Sequence, residues 1–211
     1  MAAGNDNSAM NLLLVLALLG IGATFLKNTE QRQRILWLGQ HLQHHQIEKL
    51  MEGLIDGYLR ALGEQDAERR ASVLNLLAST EETLSGQLQR LAADLRQLDD
   101  RQARTSRLPM GLPLVTRLLP GLCFDLRELL ALHAAGFEAV RRNEEGLDRR
   151  DQAFRLSAEL LLFQHSCHWY CRSRAVASAR LLARHRTSHD QVLAAVSPAT
   201  REAYRALTGV A

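Results

Sequence analysis

Lysine is nearly missing from this chain of 211 residues: Lys27 and Lys49 stand alone against a large excess of arginine. Aromatic residues make up only 5% while Leu and Ala are abundant, a balance that favours helices and gives poor strand signals. Only four prolines occur, and three of them (Pro109, Pro113, Pro120) fall in one stretch, so the rest of the chain lacks the strongest helix breaker. The three cysteines, Cys123, Cys167 and Cys171, are odd in number and follow no disulfide framework, which fits a reducing compartment. The net charge is only +3, so charge balance alone implies no partner. No Gly-rich phosphate loop, nucleophile elbow or paired-carboxylate motif is present, which argues against an enzyme, and we expect no cofactor. No Lys or Arg precedes residue 27 and no small-residue cleavage site is clear, which argues against a cleavable secretory signal.

What is there begins with an apolar run over residues 10–26, broken only by Asn11 and Thr24. As a helix it spans about 26 Å at 1.5 Å per residue, close to the ~30 Å hydrocarbon core of a bilayer. Its leucines with Val15, Ile21 and Phe25 contribute roughly −3 to −6 kcal/mol to insertion, less the cost of Asn11, Thr24 and two glycines. We therefore expect residues 1–8 to be a short polar N-terminus and 9–26 a transmembrane signal-anchor helix in contact with lipid. The competing reading is a hydrophobic helix buried in the protein or in an oligomer. Lys27, Arg32 and Arg34 follow the run against Glu30, and positive residues beside a span stay on the cytoplasmic side. The expected protein is a single-pass one, in a bacterial inner membrane, with residues 27–211 as a cytoplasmic helical domain.

That domain reads as all-α, an antiparallel helical bundle carried on the one N-terminal transmembrane helix. Apolar residues from Ile35 to Leu62 recur at helical spacing, and no Pro or Gly separates this segment from the apolar run at its start. Asp66 is a good N-cap for a helix over 67–103, whose seam (Leu74, Leu77, Glu81, Leu84, Leu88, Leu91, Leu95, Leu98) alternates steps of three and four. Residues 107–124 carry the Pro/Gly interruption yet remain apolar, so they are expected to pack on the domain. Asp125 with Glu128 signals a capping box and a helix with Leu126, Leu130, His133, Phe137 and Val140 on its stripe. One long helix is expected over 149–186. Ser188 with Gln191, and Ser197 followed by Pro198, then open two short helices, the last ending near Gly209. No segment reads as a strand.

Four constellations could carry function. His165, Cys167, His168 and Cys171 have helical spacing that could supply part of a zinc, copper or haem site, although one helix face rarely offers every ligand. The same residues suit a packed interior, anchored by Trp169 and Tyr170. His41, His44, His45 and Glu48 stand in pairs one turn apart and read either as two-point ligands or as a solvated face. Glu81 and His133 sit on apolar stripes and must find partners, each other or an arginine. Arg172, Arg174, Arg180, Arg184 and Arg186 form a basic run without an acid between them, with Arg172, Arg180 and Arg184 near one helical row. That row would suit an anionic lipid head group or phosphate, but no nucleic-acid motif or stacking platform accompanies it, so nucleic acid is not expected.

The favoured function is a membrane-anchored interaction or scaffold protein, a non-catalytic component of a complex with another membrane-associated protein or with itself. The alternatives are a metal- or haem-binding membrane protein using the His/Cys cluster, and a membrane-proximal binder of anionic lipid or nucleic acid through residues 172–186.

Overall fold

The computed structural model describes the backbone of residues 3–210 and the side chains of residues 10–210. Among the described residues the fold is mostly helical, with one small pair of strands. Helix α1 (Ala3–His44) runs unbroken for 42 residues. It passes straight through the boundary at residue 27, because nothing in its sequence interrupts the backbone ladder there. At 1.5 Å per residue it is about 63 Å long. It is long and apolar enough near its start to cross a membrane, and no part of that apolar window is buried. From Lys27 onward one face becomes covered: Gln31, Leu38 and Leu42 are buried against the domain.

The chain turns at Gln46, which takes a left-handed conformation (φ 53°) and separates α1 from α2 (Ile47–Gly63). The buried ring of His45 pins this corner, bonding Gln87 Oε1 at 3.2 Å and Asp94 Oδ2 at 2.9 Å. Asp66 caps α3 (Ala67–Asp94) as expected, accepting from the amides of Glu68 and Arg69. The seam holds: Leu74, Glu81, Leu84, Leu88 and Leu91 are all buried. The helix does not reach residue 103, however. It ends in a 3-10 turn (Leu95–Gln97), and Leu98 is extended. Asp99 then accepts from the amide of Arg101 and starts a new short helix, α4 (Asp100–Ala103). The sequence holds a second N-cap there, and the cap overrides the continuing apolar period.

Two three-residue strands, β1 (Arg104–Ser106) and β2 (Cys123–Asp125), pair antiparallel with Thr105 opposite Phe124. They were not expected; runs this short carry no period to read. Their pairing closes the Pro/Gly segment into a loop containing α5 (Val115–Leu118) and a 3-10 turn at Pro120–Leu122. Asp125 caps α6 (Leu126–Arg141) through the Arg127 amide. The expected reciprocal bond from Glu128 is not formed among the described residues. The Arg127 guanidinium grips Asp125 instead and reaches the Leu98 carbonyl.

The expected helix over 149–186 is two helices. Helix α7 (Arg149–Cys171) stops at Arg172 (φ −131°, ψ −83°), and Ser173 caps α8 (Arg174–His185). The break lets α8 fold back against α7. Helix α9 (His189–Ala195) has the Ser188/Gln191 capping box, and α10 (Pro198–Thr208) starts at Ser197 and ends at left-handed Gly209 (φ 71°). Helix α7 is the centre of the domain: it packs against α1, α2, α3, α6, α8 and α9. It is therefore buried nearly all round rather than along one stripe, which is why it carries no clean amphipathic period.

Candidate functional site

The fold-back at Arg172 opens a groove of about 670 Å³ between α1–α2 and α7–α8. Its apolar wall is made by Ile35, Leu38 and Leu42 from α1 and by Met51, Ile55 and Leu59 from α2. The opposite wall carries the cations of Arg172, Arg180 and Arg184, with His168 and His185 between them and burial favouring their neutral forms. Glu48, Glu52 and Asp56 line the α2 side. Arg184 reaches across to Glu52 at 3.1 Å, but both side chains are exposed, so this pair contributes little. Arg180 makes no ion pair among the described residues. Arg172 is held by a reciprocal pair with α1: it donates to Gln31 Oε1 at 2.8 Å, and Gln31 donates back to its carbonyl at 3.3 Å.

The His/Cys cluster is divided by helical phase. Cys167, His168 and Cys171 face the groove, whereas His165 is completely buried on another side of α7. There its Nε2 meets Ser178 Oγ at 3.1 Å, and its ring stacks on His189 with centroids 4.2 Å apart. Among the described residues no three His, Cys, Asp or Glu side chains come together in a way that could hold a metal ion. Burial pushes the Cys167 thiol well up and the Cys171 thiol to about 11. Both therefore stay protonated at neutral pH in the metal-free chain. Burial, reinforced by Arg180 and Arg184, lowers the His168 imidazole to about 4.

The other constellations resolve separately. His41 is bonded to the Trp37 carbonyl at 2.8 Å and His45 to Gln87 and Asp94, so this segment serves the α1–α2 corner. Glu81 and His133 are both buried, but they do not meet. Glu81 accepts from the Tyr58 hydroxyl at 2.8 Å and from Arg149 at 2.7 Å. His133 Nε2 lies 2.8 Å from Ser166 Oγ, its ring edge-on to Phe163, and burial lowers it to about 3. Of the arginine run, Arg172, Arg180 and Arg184 share the groove. Arg174 instead lies over the Trp169 ring at 5.7 Å, and Arg186 is the left-handed residue ending α8.

Two residues escaped the sequence reading. Arg34 donates to the carbonyls of Tyr170 and Arg104 and lies over the Tyr170 ring at 4.9 Å, locking α1 to the domain. Nothing local distinguishes it from any other arginine on an amphipathic segment. Glu159 is buried at 2% exposure and accepts from the Ser197 amide at 3.0 Å, at the start of α10. Burial raises its carboxyl to about 7, partly offset by the Ser197 hydrogen bond. Its signal was visible: a lone carboxylate inside the run Ala158-Glu159-Leu160-Leu161-Leu162. Neither a protein-family model, nor a curated protein, nor a solved structure matches this chain.

Proposed function

We propose that this chain is a membrane-anchored, non-catalytic interaction protein whose groove receives an amphipathic helix of another membrane-associated protein. One observation carries the reading. The helix with the exposed apolar run is the same rigid helix that builds the apolar wall of the groove. Ile35 is only about 13 Å along α1 from residue 26 at 1.5 Å per residue. A span over residues 9–26 would thus hold the groove at the height where a second membrane-bound chain carries its juxtamembrane segments.

Charge selects the occupant. The apolar wall suits a helix stripe, the arginines suit carboxylates on one flank of it, and Glu48, Glu52 and Asp56 suit basic residues on the other. A lipid phosphate would meet those carboxylates as well as the arginines. Placing the domain in the cytoplasm follows from Lys27, Arg32 and Arg34 just after the run and from the absence of Lys or Arg before it. The test is a photoreactive residue at Leu59, on the exposed rim, in the full chain within its native membranes. The expected result is one discrete protein adduct, lost when Arg180→Glu and Arg184→Glu are combined, whose cross-linked peptide has that flank pattern. A lipid-only adduct, no adduct, or a peptide without the pattern would overturn the proposal.

A further inference from the structure

We infer that residues 110–122 form a second membrane contact, an apolar loop seated in the headgroup–acyl boundary beside the point where α1 enters the bilayer. This rests on the reading that residues 9–26 span a membrane, and adds to it a surface that the span does not require.

The height of the loop is fixed by its contacts with α1. Gly111 packs so closely that a Cβ there would lie 2.8 Å from the Arg172 carbonyl, 3.0 Å from Gln31 Nε2 and 3.6 Å from Lys27 Cε. The amide of Leu114 points at Glu30 Oε2 at 3.4 Å. Lys27, Glu30 and Gln31 belong to the first turns after the apolar run, so the loop lies where a bilayer surface would be. On this loop Met110, Leu112, Leu118, Leu119 and Leu122 are 64%, 52%, 71%, 49% and 42% exposed. Elsewhere in the domain, exposed large apolar residues such as Leu76 and Phe154 do not gather in one loop. A cluster of this kind marks a contact surface.

The loop cannot fold away to hide these side chains. The β1–β2 pair closes it, the Ala175 amide donates to the Pro109 carbonyl at 3.0 Å, and Arg34 reaches the Thr116 hydroxyl at 3.3 Å. Exposed Arg117 and half-exposed Lys27 flank the patch, where a phosphate headgroup would meet them. An apolar patch flanked by two cations and continuous with a membrane span fits a lipid surface better than a second protein.

The experiment is quenching by lipids brominated on their acyl chains, using the full chain reconstituted in vesicles containing anionic lipid. Single variants Leu18→Trp, Leu118→Trp and Leu76→Trp are each compared with the parent, whose Trp37 and Trp169 give the baseline. Leu76 is the distant control. The Leu74 carbonyl beside it accepts from Arg149, at the opposite end of α7 from Tyr170, which sits on Arg34. Those ends are about 33 Å apart at 1.5 Å per residue. The added indole should be strongly quenched at position 18, lose about half its emission at position 118, and stay unquenched at position 76. Quenching at 18 but not at 118 overturns the loop contact and leaves the span intact, including the case where 118 shifts blue because protein covers it. No quenching at either position overturns the span as well. Quenching at 76 equal to that at 118 also overturns the loop contact, because the domain would then lie on lipid indiscriminately.

Discussion

Acid should weaken this fold gently, and one substitution should make the loss steep. His133 and His165 are 2% and 0% exposed, and burial lowers them to about 3 and about 2. Below the ordinary histidine value of 6.5 the unfolded chain takes up protons that the folded chain refuses, so stability is lost as pH falls. Each such group contributes about 1.4 kcal/mol per pH unit once it titrates fully, so the two together lose about 4 kcal/mol between pH 7 and 5. Glu159 acts in the opposite direction. Its folded carboxyl titrates at about 7 against 4.5 in the unfolded state, so over that window the folded chain holds the extra proton. That returns about 2 kcal/mol on acidification and leaves a net loss of about 2 kcal/mol for these three groups, to which the partly exposed His168, also lowered, adds in parent and variant alike. Glu159→Gln keeps an acceptor for the Ser197 amide and deletes the titration, so its loss should approach the full 4 kcal/mol or so. The assay is urea unfolding of the full chain in a non-ionic detergent, followed by tryptophan emission, at both pH values. A variant whose pH dependence is no steeper than that of the parent would refute the assignment of Glu159 as a buried acid that is protonated in the fold. Parallel flat profiles would refute the buried neutral histidines too.

Three further outcomes are expected. Leu88→Asp places an unpaired charge at a position only 2% exposed and should cost more than about 4 kcal/mol; an unchanged thermal midpoint by circular dichroism would mean the α3 seam is wrong. Arg149→Met strands the Glu81 carboxylate and should cost about 3 kcal/mol, the low end for a buried pair because Arg149 keeps 29% exposure. Adding Glu81→Gln, which removes the charge but keeps an acceptor for the Tyr58 hydroxyl, should recover most of that loss in urea unfolding, and a double variant worse than the single one would contradict the pairing. A cysteine at exposed Ser72 should react with a membrane-impermeant thiol reagent only after lysis, compared with the parent chain. Efficient labelling in intact cells would reverse the orientation and remove the cytoplasmic partner.

The helical class was legible because its signals are local and redundant. Asp66, Ser188 and Ser197 all cap where a short polar residue precedes an apolar period, and the α3 stripe stays buried from Leu74 to Leu91. The errors share one cause. Apolar spacing continues across Leu95–Leu98 and across Cys171–Arg174, so the period alone reads one helix where the chain makes two. At the first site Asp99 offers a competing cap, and at the second Ser173 does. Both caps were in the sequence, but a cap inside a strong apolar period loses to the period unless the tertiary neighbours are known. Here those neighbours are β1 beyond the first break and α7 itself beyond the second.

The groove could not have been read from the chain, because it exists only through the break at Arg172. Had α7 run on to residue 186, Arg180 and Arg184 would have lain farther along a straight rod, away from Leu38 and Met51. With α8 folded back, they face the apolar wall built by α1 and α2. Arg172, Arg180 and Arg184 line one groove, but not as a single helical row, since Arg172 belongs to neither helix. The His/Cys cluster shows the reverse. His165 and Cys167 are two residues apart, roughly 200° around a helix, so a motif that looks dense in sequence points in two directions in space. Cys167 then serves the groove floor while His165 serves the buried stack with His189. Density along the chain is evidence for a site only when the residues differ by three or four positions. That condition joins Cys167 and His168 to Cys171 and His165 to His168, but it never joins His165 to either cysteine, so the four cannot face one site.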